Sequence, residues 1–180
     1  MKKQIIQKIE VPEGVEVKIN GNVLTAKGPE GENKREFRIK GLIFKKENNE
    51  IIIGYEKATN NEKKIINTIT SHIKNMIKGV QKKFEYELKA CFHHFPITIE
   101  IKGNEAIIKN FLGEKTPRKS KIIKGTEVKV DKGIIKVSSI DKELAGQTAA
   151  NFEKATRIRM KDRRVFQDGV FIIKKAGREI

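Results

Sequence analysis

The sequence predicts an α+β protein with an internal duplication: two similar domains, each an antiparallel sheet with one helix packed on it. Two observations carry that expectation. A strand, a Gly-Asn turn and a second strand occur twice, 82 residues apart, and each copy places its strands first and its single helix last. The length of 180 residues accommodates two small domains or one large one, and either can bury a core.

The elements follow in order. Val15-Glu-Val17-Lys-Ile19-Asn-Gly21-Asn22 recurs as Ile97-Thr-Ile99-Glu-Ile101-Lys-Gly103-Asn104. Each alternates apolar and polar residues and then reaches a Gly-Asn pair suited to positive φ, the pattern of a β-hairpin. Gly28-Pro29-Glu30-Gly31 lies between strands and opens no helix, so it reads as a turn and not as a phosphate cradle. Ile51–Tyr55 and Ile134–Val137 are β-branched strands, each followed by a helix start. Thr59 with Glu62, and Ser138 with Asp141, set a hydroxyl three residues before an acid, as in a capping box. In the first helix, spacings of three and four gather Ile65, Ile66, Ile69, Ile73, Met76, Ile77 and Val80 on one face, with Gly79 near its end.

At an offset of 79 the second helix, expected over 141–157, presents a smaller face of Ala145, Ala149, Phe152 and Ala155, with Gly146 and Ala150 beside it. Between the repeats, Phe84, Tyr86, Leu88, Ala90 and Phe92 alternate with polar residues as a half-buried strand. The boundary is therefore placed inside Gly79–Lys83, giving domains 1–81 and 82–180. After the second helix, Phe166 is expected to anchor in the core, Asp168-Gly169 to turn, and Val170–Ile173 to form a final strand.

Composition narrows the function. Thirty-nine Lys and Arg against 23 Asp and Glu leave +16, and the pI is near 9.9, so the expected partner is a polyanion. No apolar run approaches the roughly 20 residues of a membrane span, and the N-terminus lacks the h-region of a secretory signal. The single cysteine, Cys91, excludes a disulfide framework within the chain and reads as a small buried hydrophobe. His93 and His94 would point to opposite faces of a strand and could not chelate one metal, though the following Phe95-Pro96 suggests a bend and a positioning role. There is no nucleophile elbow, metal or cofactor motif, and no small-molecule substrate is implied.

Six of the eight arginines fall in the second half. Lys115 to Lys124, expected as a loop after the second hairpin, carries five positive residues and no acid. Residues 154–164 carry six, Lys154, Arg157, Arg159, Lys161, Arg163 and Arg164, against Asp162 alone. Two such unbalanced runs favour RNA over a merely solvated face. Neither is an amphipathic helix with opposed aromatic residues, which sets a membrane surface aside. No aromatic platform for single strands is evident, so structured RNA read through phosphates, 2′-hydroxyls and shape is expected.

His72-Ile-Lys-Asn-Met-Ile-Lys-Gly-Val80, His94-Phe-Pro-Ile97, Asn110-Phe-Leu-Gly-Glu-Lys115 and Gly146-Gln-Thr-Ala-Ala-Asn151 resemble landmarks of the large-subunit ribosomal protein six family. The resemblance is to its archaeal and eukaryotic branch, on the archaeal side. The stretch Lys161-Asp-Arg-Arg164-Val-Phe166-Gln-Asp168-Gly169-Val-Phe171-Ile172 resembles that branch's signature, with Lys154 where Gln is usual and Phe171 where Tyr is usual. The resemblance spans essentially the whole chain. It implies a cytoplasmic, non-enzymatic constituent of the large ribosomal subunit that binds 23S-type rRNA near the sarcin–ricin loop and stalk base, beside other large-subunit proteins. It makes domain 82–180 the main RNA-binding domain, and the expected RNA contacts there are Lys115, Arg118, Lys119 and Lys121, then Arg157, Arg159, Lys161, Arg163 and Arg164, with Lys174 and Lys175 toward the C-terminus. The alternatives are an RNA-processing enzyme with His93 or His94 as general acid or base, and a free RNA chaperone with no fixed site.

Overall fold

The computed structural model describes residues 3–37, 41–47, 49–162 and 164–180. The chain divides into two compact units, one ending at Lys83 and the other beginning at Phe84. In the first, strands β1 (Lys3–Glu10), β6 (Glu50–Ala58) and β5 (Ile43–Glu47) form one antiparallel sheet in that order. Strands β2 (Glu16–Asn20), β3 (Val23–Gly28) and β4 (Gly31–Glu36) form a second, and helix α1 (Asn60–Gln81) packs on both.

The second unit repeats the scheme. Strands β8 (Thr98–Lys102), β9 (Glu105–Lys109) and β10 (Arg118–Lys121) make a three-stranded sheet. Strands β11 (Glu127–Asp131), β12 (Ile134–Ser139) and β7 (Phe84–Cys91) correspond to β5, β6 and β1 of the first unit. Strands β13 (Gly169–Lys175) and β14 (Arg178–Glu179) extend that sheet on the free side of β7. Helix α2 (Lys142–Ala155) follows β12 as α1 follows β6, and it packs on β12, β7, β10 and β13. The α+β class and the duplication are as the sequence predicts. Each repeat, however, divides its strands between two sheets where one was expected, because the hairpin and the flanking strands share a helix but no ladder.

The repeat extends to burial. Ile66, Ile69, Thr70 and Ile73 of α1 are buried, and so, at the offset of 79, are Ala145, Thr148, Ala149 and Phe152 of α2. Ile65 lies off this stripe at 37% exposure. Fully burying each large side chain contributes roughly 1.5–3 kcal/mol, so Ile66, Ile73 and Phe152 carry much of the helix–sheet adhesion. The small α2 face brings the helix close to its sheet: a Cβ on Gly146 would stand 3.1 Å from the Tyr86 hydroxyl.

Helix α1 starts with the expected capping box. The Thr59 side chain accepts from backbone N–H groups of the first turn, and the Thr59 N–H donates to Glu62 Oε2 at 2.7 Å. The second helix departs from expectation. Its N-cap is Asp141, which accepts from Glu143 N–H at 2.8 Å, while Ser139 bonds Asp141 N–H and Gly125 C=O and leaves Ser138 out of the cap. The Gly28–Gly31 turn is tucked under the end of α1. Glu30 N–H donates to Val80 C=O (3.0 Å), and a Cβ on Gly28 would meet that oxygen at 2.7 Å.

Candidate nucleic-acid interface

The site is built where α2 ends. Thr156 terminates the helix; its hydroxyl donates to Phe152 C=O and accepts from Val170 N–H at 2.9 Å, tying the start of β13 to the helix end. Between these two points lies a segment in which residues 157, 159–162, 164, 165 and 167 are exposed. Asp168 closes it. Its carboxylate is 1% exposed; Oδ1 accepts from the N–H groups of His93 (2.7 Å) and His94 (3.0 Å), and Oδ2 meets His94 Nδ1 at 2.7 Å. Burial opposes ionisation of Asp168, but the two backbone donors and the imidazole outweigh it and hold the pKa down to about 2 from 3.8. The strand has ended at Cys91, so both histidines sit on a bend with their N–H groups converging on one carboxylate. His94 is therefore a positioning residue of the fold. Cys91, opposite Gly169 in the ladder, is half-buried where a fully buried hydrophobe was expected.

The basic run at 115–124 is not a loop, as expected, but contains β10. Ser120 opposite Ala106 and the Ile122 N–H to Asn104 C=O bond (2.8 Å) hold it in the sheet. With no apolar alternation in Arg-Lys-Ser-Lys, only pairing and the small buried Ser120 make it a strand. Lys119 and Lys121 consequently point outward on either side of Ser120.

Arg118 has another task. Its guanidinium grips Glu114 through Nε (2.8 Å) and Nη2 (2.6 Å), donates from Nη1 to the carbonyls of Ala155 (3.0 Å) and Arg157 (3.3 Å), and lies 4.2 Å from the Phe111 ring centroid. The Arg118 hydrogen bonds hold the Glu114 carboxyl below its usual range. Arg118 thus joins β10 to the end of α2, complementing the exposed helix carbonyls.

A groove of about 770 Å³ lies between β10, the last turns of α2 and the segment that follows. Its walls carry Lys119 and Lys121 from the strand, Lys154 from the helix, and Arg157, Arg159 and Lys161 from the segment, with Arg118 beneath. The only acid in the lining is Glu114, and Arg118 neutralises it. Lys119 reaches Glu105 at 3.3 Å, but both side chains are more than half exposed and the pair is weak. Two basic stretches 30 residues apart in sequence thus face one cleft.

Other expected contacts fall elsewhere. Lys115 is exposed outside the groove, and Arg164 sits in a turn, its N–H donating to Asp162 Oδ1 at 2.9 Å. Lys174 and Lys175 lie five and six residues along β13 from Gly169, roughly 20 Å away, with Lys174 facing Glu87. Arg163 lies outside the described residues. Phe166 is not in the core as expected. It stacks on His94 (centroids 5.0 Å, 20°), with Lys161 Nζ 4.4 Å from its centroid, because the Asp168 clasp holds it above the bend. Lys154 belongs in the groove, and its membership of the second basic run was the signal that could have added it to the expected contacts.

A duplicated α+β body with a cation-walled cleft whose one lining carboxylate is paired has the character of a nucleic-acid-binding protein. The comparisons agree with that class. The model of the family described as Ribosomal protein L6 matches residues 11–83 and 95–169, one stretch in each unit. The large ribosomal subunit protein uL6 of Methanosarcina mazei is 43% identical over 176 residues, covering 98% of this chain and all of the relative. Those of Methanococcus vannielii (43% over 174 residues, 97% of this chain and 96% of the relative) and Archaeoglobus fulgidus (43% over 172, 93% and 88%) are similarly close. The chain belongs to the ribosomal protein L6 family, as its sequence resemblance implies, with archaeal relatives. Its role is that of a structural component of the large ribosomal subunit, and not that of an enzyme.

Proposed function

We propose that the second unit anchors the protein to 23S-type rRNA through the groove between β10 and α2. One observation carries this reading: six Lys and Arg side chains line a single cleft, and the seventh, Arg118, is paired with the lone carboxylate of the lining. Such a cleft takes a phosphodiester backbone by displacing its counterions. Arginine forks at 157 and 159 add bidentate hydrogen bonds that lysine lacks. The location near the sarcin–ricin loop and stalk base, and contact with neighbouring large-subunit proteins, are inferred from the family.

Salt dependence tests the groove. Replacing Arg157 and Arg159 with Gln should weaken binding to an rRNA transcript and flatten the log–log salt slope by about 0.7–0.9 per lost phosphate contact. Lys45→Gln with Lys57→Gln, two exposed charges of the first unit, is the matched control. Equal losses in the two pairs would reduce the contact to general electrostatics. Crosslinking within intact subunits, with the RNA partner sequenced, tests the neighbourhood. Crosslinks confined to RNA distant from the sarcin–ricin loop and stalk base would refute the placement.

A further inference from the structure

Behind the segment that walls the groove lies a second cavity, of about 520 Å³, whose lining is mainly apolar. Phe166, Phe171, Ile158 and the methyl of Ala150 form much of it, with Gln167 among them and Glu153 at its side next to Lys154. Lys154 and Arg157 line both this cavity and the groove, so the two share a cationic wall. Phe171 is 42% exposed. Its ring occupies the space of a side chain at 169, where a Cβ on Gly169 would meet it at 3.1 Å. The surroundings are held by the Thr156–Val170 bond and by Asp168, whose oxygens are taken by His93 and His94, so its charge is spent within the fold.

We propose that this cavity receives an unpaired nucleobase of the same RNA whose backbone lies in the groove. The inference rests on the rRNA-binding reading and deepens it. Three features select a base. The size is that of a small-ligand pocket. The aromatic lining offers a stacking surface, and stacking tolerates any base because every base has a π-face. The shared cations, Lys154 and Arg157, would hold the phosphate attached to it, which an apolar side chain from another protein would leave unpartnered. Gln167 donates its amide nitrogen to Arg164 C=O (3.3 Å), which leaves its amide oxygen to accept from a base edge. The stacking surface absent from the sequence reading is thus the ring of Phe171 on β13, beside a Phe166 already stacked on His94.

The test uses the full chain and a full-length 23S-type rRNA transcript. Phe171→Leu keeps apolar bulk but removes the stacking face. It should weaken binding about 5- to 100-fold with the salt slope unchanged. Phe171→Tyr should bind within about twofold of the parent. In intact subunits, a benzophenone amino acid at position 171 should crosslink to one unpaired nucleotide. Parental affinity for Phe171→Leu, or a crosslink to a protein instead of RNA, would overturn the base pocket. Failure of the groove reads differently: Arg157→Gln with Arg159→Gln would then leave the salt slope as it was.

Discussion

At the residue scale, the groups that matter most are those whose partners were invisible in the sequence. Asp168 satisfies two backbone donors and one imidazole at the root of the basic segment. Asp168→Ala orphans those N–H groups, and chemical denaturation of the full chain should show a loss of about 1–3 kcal/mol for each one left buried. The pH dependence has a definite sign. Because the folded pKa lies at about 2, below the ordinary 3.8, the contribution is present above about pH 4 and disappears as pH falls through 2. The window carries up to about 2 kcal/mol. In Asp168→Asn that acid-limb dependence should be absent, whereas an unchanged acid limb would show that other carboxylates set it. Arg118 gives the converse case. Arg118→Gln should cost about 1–3 kcal/mol of stability, since its donors serve Glu114 and two carbonyls. The RNA salt slope should hold. A slope that drops with Arg118 would make it a phosphate ligand after all.

At the element scale, helix ends and tight turns are set by single side chains. Thr59→Ala removes the cap of α1 and should cost about 1 kcal/mol, with the loss visible as fraying of the first turn in hydrogen exchange. Gly28→Ala should cost more than this cap. Its new methyl would press on Val80 C=O, which already accepts from Glu30 N–H and cannot move away without breaking that bond. Equal stability of Gly28→Ala and the parent would mean that the turn relaxes freely. Strand β10 makes a different point. Arg118–Lys121 has neither β-branched nor aromatic residues, yet it pairs with β9 along its full length. Tertiary pairing overrides propensity there, and it does so in order to present two lysines.

At the scale of the whole molecule, charge and core are both shared between the two halves. Both halves are basic, with 19 Lys and Arg to 12 Asp and Glu in residues 1–90 and 20 to 11 in residues 91–180. Net charge therefore draws RNA to the entire chain and promotes association without choosing a face. The groove is the face proposed to make that choice. Each unit also has its own core, Ile73 being fully buried in one and Phe152 in the other. Phe152→Ala should cost about 3–5 kcal/mol and speed amide exchange in Phe84–Ile180. Exchange in α1 should not change. Equal acceleration in α1 would show that the two units open as one.

What the sequence determined by itself is the duplicated α+β plan, the hairpins at Gly21-Asn22 and Gly103-Asn104, the first capping box, and the bias toward a polyanion. All of these are local or periodic properties, written in contiguous residues. The family is legible for the same reason, since long motifs stand in order along the chain. Tertiary structure decided the rest. Arg118 and Arg157 are equivalent as charges in a list. Only folding points one at Glu114 and the end of α2, and leaves the other on the wall of the cleft. Phe166 reads as a core anchor until Asp168, by capturing the N–H groups of His93 and His94, lifts it onto an imidazole. Apart from the Arg118–Glu114 pair, four residues apart, those contacts span from 37 to 75 residues. No periodicity reports such pairings, because the free energy that selects them comes from desolvated hydrogen bonds formed only after the helix has docked on its sheet.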